Sequence, residues 1–290
     1  MNHILKLYYG IDNNIMQPGY FQHQEQLYYL SYMDNISLFF EIYQYYRYLM
    51  SQCHCRGYSC IKNFNDDIVS HGHILFLYYQ EDIDFSLYLH TFLQPMPYQK
   101  ISVNQIKEQW ICKIDRVKEL VKQYAYSFKH NPDLVSLIYY YTGLAENCIS
   151  ILNEILKIDP NASLPMSLAL QHPISKYIYE LVNPTHYVIS TRMRHLVYLL
   201  KSDLIDCQGI QDLLETHYFD VYEILYFYAR LFYPSSFFDE VLTQEMSQNR
   251  IQYYFEMIKK EKNLYQEMTM ILSFYVALPK ISWINRENMV

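Results

Sequence analysis

Glycine is scarce in this chain, six residues in 290, and proline contributes only ten. So few of either excludes Gly/Ser-rich or Pro-rich linkers and long disordered tracts as major parts of the molecule. Cations are also few. Lysine and arginine total 23 against 30 acids, a formal net charge of −7, and no run of five basic residues occurs. A nucleic-acid binder needs a basic face, so that class is set aside. No stretch approaches 18 uninterrupted apolar residues, so no membrane insertion is expected. The first residues, MNHILKLYYGIDNN, lack the apolar segment of a secretory signal. Cytoplasmic synthesis is the expectation.

What is present is apolar and aromatic. Hydrophobic residues make up 51%, enough for one large domain or two lobes. Tyrosine stands out at 33 residues, often adjacent: Tyr8-Tyr9, Tyr28-Tyr29, Tyr45-Tyr46, Tyr78-Tyr79, Tyr139-Tyr140-Tyr141, Tyr253-Tyr254. The plain reading is AT-rich coding with half-buried rings. The sharper one is a contact surface rich in phenols, since tyrosine joins a large ring to a polar tip. Of six cysteines, three lie in Cys53-His54-Cys55-Arg56-Gly57-Tyr58-Ser59-Cys60. The first pair is Cys-x-Cys and no second knuckle follows, so no metal is expected there and free thiols are. A Cys-His nucleophile in this run would need an orienting group, and none is evident. His71-Gly72-His73 reads as turn chemistry at a strand edge.

The hydrophobic pattern divides the chain. Residues 2–9 suit a short helix, and 19–33 suit two strands around a polar turn at Gln22–Gln26. Phe39, Ile42, Tyr43, Tyr46 and Leu49 fall at helical spacing, with Asp34 or Asn35 as the cap. A strand, a turn at Asn65–Asp67 and an apolar strand through Ile74–Tyr79 follow. Beyond residue 82 the signal is helical: 103–128, then 133–158 with Gly143 as a candidate kink, then 192–202, 208–232, 236–259 and 262–277. Residues 160–190, with Pro160, Pro165, Pro173 and Pro184, read as irregular apart from a short apolar strand in HYVIST. The expected class is α+β: a small lobe over 1–82, with mixed strands and one helix, and a helical lobe over 83–290.

Specific words then occur in order: LYYGI, GYF, YYLSYMDN, IKNFNDDIVSHGHILFLYY, LHTFLQPMP, YYYTGLAENCISIL and STRMRHLVYLL. Together, over roughly residues 4–280, they resemble the YutH-type spore coat-associated proteins. These belong to the CotS-like branch of the aminoglycoside-phosphotransferase-like, protein-kinase-like superfamily. The resemblance implies a bilobal kinase-like fold with an αC-like helix in the N-lobe. It also implies synthesis in the mother cell, deposition on the spore coat, and other coat proteins as partners.

Phosphoryl transfer needs a phosphate cradle, a strand lysine, a catalytic-loop Asp, and a second Asp with an Asn for magnesium. Between Lys6 and Arg47 there is no lysine or arginine, so Glu41 on the αC-like helix has no lysine to meet and reads as solvated. Gly10 and Gly19 do not form a Gly-x-Gly-x-x-Gly loop, and Gly19 reads as a turn residue. Where the family carries His-Gly-Asp, this chain has His172, Pro173 and Ile174, and isoleucine neither takes a proton nor binds metal. Where the metal Asp would stand there is Ser190, and Arg194-His195-Leu196 stands for Arg-Asp-Leu. Arg192 and Arg194 are candidates to anchor the preceding loop. Glu180 is the only acid from Pro160 to Ser202. Four parts are missing together. The expectation is a pseudokinase with no catalytic residues, no cofactor and no metal. The alternative is an atypical small-molecule phosphotransferase that recruits Asp203 and Asp206. Ser235-Ser236 reads as a helix cap.

Overall fold

A computed structural model describes residues 2–13, 19–123, 131–244, 246–279 and 281. The architecture is α+β, and contacts divide it into two compact units: Met1–Met96 with Ser167–Arg192, and Pro97–Met166 with Met193–Val290. The sequence division after residue 82 falls inside the first unit.

The first unit is built on an antiparallel sheet. Helix α1 (Asn2–Tyr9) precedes the hairpin β1 (Gly19–His23) and β2 (Gln26–Tyr32). Gln24 and Glu25 both take positive φ, 48° and 63°, the backbone of a two-residue hairpin turn that matches strand twist. Helix α2 (Ile36–Gln52) is capped by Asn35, whose Oδ1 accepts the Leu38 N–H at 3.1 Å. Then come β3 (Tyr58–Ile61), β4 (Val69–Ser70) and β5 (His73–Tyr78). The strand order is β1-β2-β5-β3, with β4 also on β5. Register explains the core. Leu30 pairs with Leu75 and, with Tyr28 and Phe21, packs on Leu5 and Ile11 from the α1 side. One residue along, Tyr29 pairs with Phe76 on the opposite face, where Phe39 and Tyr43 of α2 meet Phe76 at 5.7 and 6.3 Å. Helix α3 (Phe85–Phe92), capped by Asp84, buries Tyr88 and Phe92.

The second unit is mainly helical. Strand β6 (Lys100–Ser102) pairs antiparallel with the start of β7 (Ser163–Leu170). Helix α4 (Val103–Gln123) buries Val103, Ile106, Trp110, Ile114 and Val117; of the stripe that the spacing predicts, Ile106, Trp110, Ile114 and Val117 are buried, Leu120 and Val121 are half-buried, and Tyr124, with the expected continuation to 128, lies outside the described residues. Helix α5 (Pro132–Ile158) runs through Gly143 as one element, with Asn131 as its cap. The chain also forms α6 (Ile178–Leu181) in the first unit. Here it continues with α7 (Arg192–Lys201), α8 (Cys207–Thr216), α9 (Val221–Phe232), α10 (Ser235–Thr243) and α11 (Gln248–Ser273). All ten residues from Glu223 to Phe232 are buried, so α9 is the centre of this unit.

Three expectations need correction. Residues 160–190 are not irregular, because β7 spans Ser163–Leu170 and accommodates Pro165 opposite Lys100. The helix expected over 208–232 is two, broken where Asp220 and Glu223 form a capping box. The break expected near 260 lies instead at Gln244, left-handed at φ 61°, and Ser247 then caps α11. No helix among the described residues is long and apolar enough to cross a membrane.

Candidate functional site

The segment from Gln171 to Thr191 carries every position where the resemblance would place loop chemistry, and all of it belongs to the first unit. The segment leaves β7 at Leu170 and returns through β8 (Tyr187–Thr191). The Gln171 N–H donates to the His186 carbonyl at 2.7 Å, closing the base of the excursion.

Ile174, where the resemblance would put a catalytic Asp, is buried at 9% exposure. His172 is exposed, and its Nδ1 donates to the Pro173 carbonyl at 3.0 Å. Ser190 is half-buried in β8. The one carboxylate, Glu180, is spent on the loop itself. Its Oε2 accepts the Ser175 N–H at 2.9 Å, and its carbonyl accepts Nδ1–H of His186 at 2.9 Å.

Neutral groups hold the segment in place. Asn183 is fully buried; its Oδ1 accepts from the Thr185 N–H and hydroxyl at 3.0 and 2.8 Å, and its Nδ2 donates to the Tyr20 hydroxyl at 2.8 Å. Tyr46 of α2 donates to the Val182 carbonyl, Tyr187 donates to the Leu181 carbonyl, and the hydroxyls of Tyr187 and Tyr88 meet at 2.6 Å. Tyr179 packs edge-on against Tyr20 at 4.9 Å. Burial pushes the phenols of Tyr20, Tyr46, Tyr88 and Tyr187 upward, so they act as neutral hydrogen-bonding groups. Such an arrangement fixes a loop firmly and, among the described residues of the segment, offers no pair of carboxylates for a hard cation.

The other candidates have structural roles. Glu41 is exposed on α2 and forms no ion pair among the described residues. Gly10 closes α1, with its N–H on the Lys6 carbonyl and the Ile11 N–H on that of Leu5. Gly19 opens β1. Asp203 pairs with Lys260 at 3.2 Å, and Asp206 caps α8 through the Gly209 N–H at 2.8 Å. Cys53 and Cys55 are buried, and burial pushes the thiols of Cys55 and Cys60 up to about 11, the reverse of nucleophile activation. His71 and Gly72 form the turn between β4 and β5, and His71 Nε2 lies 2.6 Å from the Tyr8 hydroxyl. Ser235 opens α10, but the cap position is Pro234, without a side-chain bond. Arg194 lies in α7 with its guanidinium 5.4 Å above the Tyr198 ring. No group of three or more His, Cys, Asp or Glu suited to a metal occurs among the described residues.

Spacing did not single out Asn183, Tyr20 or His186; it placed Tyr46 on the buried stripe of α2 but gave no sign of its bond to Val182. One signal was legible: Asn183-Pro184 is a turn-forming dipeptide, and Asn183 caps the 3-10 turn Pro184–His186. No protein-family model matches the chain, and no curated protein or solved structure is significantly similar to it.

Proposed function

We propose that this chain is a non-catalytic member of the protein-kinase-like superfamily, of the YutH-type, that serves in spore-coat assembly or structure through contacts with other coat proteins. The observation that carries the non-catalytic part is the commitment of Glu180. The loop's only carboxylate holds Ser175 and leaves no acid for a proton or a magnesium ion, while Ile174 occupies the base position as buried packing. The alternative phosphotransferase would need Asp203 and Asp206, and each already serves the second unit, one in an ion pair and one as a helix cap.

A triphosphate would meet a chain of net charge −7 with no lysine on strands β1 to β5 to offset it. The expected result is no rise in melting temperature with about 1 mM ATP and magnesium, since a ligand near its dissociation constant stabilises by under about 0.5 kcal/mol. A magnesium-dependent rise of several degrees would overturn the non-catalytic reading. The coat assignment is tested separately by a fluorescent fusion in sporulating cells. Signal that never leaves the mother-cell cytoplasm for the forespore surface would refute it.

A further inference from the structure

The loop that lacks a pair of carboxylates for magnesium brings two imidazoles together. His172 and His186 lie on either side of the excursion's base, beside the Gln171–His186 backbone bond, with ring centres 5.3 Å apart. Each Nδ1 faces a backbone carbonyl, Pro173 at 3.0 Å and Glu180 at 2.9 Å. A carbonyl only accepts, so both Nδ1 atoms carry the proton and both Nε2 atoms present a lone pair. Neither Nε2 has a hydrogen-bond partner among the described residues.

This is how a histidine is prepared to hold a metal: the second ring nitrogen is pinned to a carbonyl, which sets the tautomer and aims the first. The spacing agrees. With metal–nitrogen distances of about 2.0–2.1 Å and a tetrahedral angle, two coordinated imidazole ring centres stand roughly 5 Å apart.

We infer that His172 and His186 form a two-imidazole site for a borderline divalent transition ion of the zinc or copper class, with its remaining positions open. Imidazole suits such ions, whereas magnesium and calcium select oxygen donors. The site stands whether or not the chain belongs to the spore coat.

Chelator-treated full-length protein titrated calorimetrically with zinc, with magnesium as the control cation, tests it. His172 is exposed, so His172→Gln is expected to fold as the parent does. His73→Gln is the comparison variant, since His73 pins its Nδ1 to the His71 carbonyl at 2.9 Å but lies on β5. The expected result is one zinc equivalent, weakened at least tenfold by His172→Gln or His186→Gln and unchanged by His73→Gln, with no heat from magnesium. Equal zinc affinity in the parent and His172→Gln, or no zinc binding by the parent, would overturn the assignment.

Discussion

The Tyr46 hydroxyl donates to the backbone carbonyl of Val182, 136 positions along the chain, and both residues are fully buried. Tyr46→Phe keeps the ring and strands that carbonyl without its donor. Loss of one buried partner costs about 1–3 kcal/mol. Urea unfolding should therefore show a lower midpoint with an unchanged slope. A midpoint equal to that of the parent would mean that the bond contributes nothing net.

Gly57 lies against the same hydroxyl. It sits at φ +60°, and a Cβ there would lie 2.2 Å from the Tyr46 hydroxyl oxygen. Tyr46 cannot swing away, because it is completely enclosed. Backbone strain and overpacking together predict that Gly57→Ala costs about 2–4 kcal/mol. The two changes should also be coupled. Once Tyr46→Phe has removed the nearest hydroxyl contact, Gly57→Ala should cost less, and a double-mutant cycle reads the difference. Strict additivity would disprove the steric account.

His195 is fully enclosed in α7, and burial draws its imidazole down to about 3. An unfolded imidazole titrates near 6.5, so between these values the unfolded chain holds a proton that the folded chain does not. Stability should consequently fall as pH drops from about 6.5 toward 3, by on the order of 1 kcal/mol per pH unit from this group, with no contribution above 6.5. His195→Gln should unfold more easily at pH 7.5 yet decline less steeply between pH 6 and 4. An acid slope as steep as the parent's would count against it.

Tyr198 behaves unlike the other buried tyrosines. Burial alone would raise its phenol, but the guanidiniums of Arg230 and Arg194 outweigh burial and bring it below its ordinary value of 10. Arg230 donates through Nη2 to this hydroxyl and lies 5.2 Å above its ring. Difference titration at 295 nm should show the earliest-ionising tyrosine in the parent missing from Tyr198→Phe. Superimposable curves would exclude the assignment.

Local chemistry was legible where it sits in adjacent residues. The Asn35 cap and the first four turns of the apolar stripe of α4 were readable because caps and periodicity act over one or two turns. That Glu180 is the only acid between Pro160 and Ser202 is read directly from the sequence. The bolting of the loop was not. Tyr20 and Asn183 are 163 positions apart, and no periodicity links them. The tyrosine runs misled in part because neighbours on an element face opposite ways: Tyr139 is 72% exposed while Tyr141 is 3% exposed. The break at Gln244 was hidden because glutamine carries no turn signal; its left-handed backbone is that of a C-cap, with its N–H on the Glu240 and Val241 carbonyls.

The first unit is assembled from two stretches of sequence, with residues 97–166 made in between. On a ribosome moving at about 5–20 residues per second, the polypeptide from Met96 to Val182 takes roughly 4–17 s to synthesise. Throughout that interval the sheet and α2 are available, while the carbonyl that Tyr46 will meet and the amide that Tyr20 will meet have not been made. The nascent chain therefore has an aromatic half-core exposed for seconds, long compared with the microseconds in which hairpins and helices form. Completion of this unit is set by the pace of translation, and a ribosome stalled before residue 183 would display the surface that the loop normally covers.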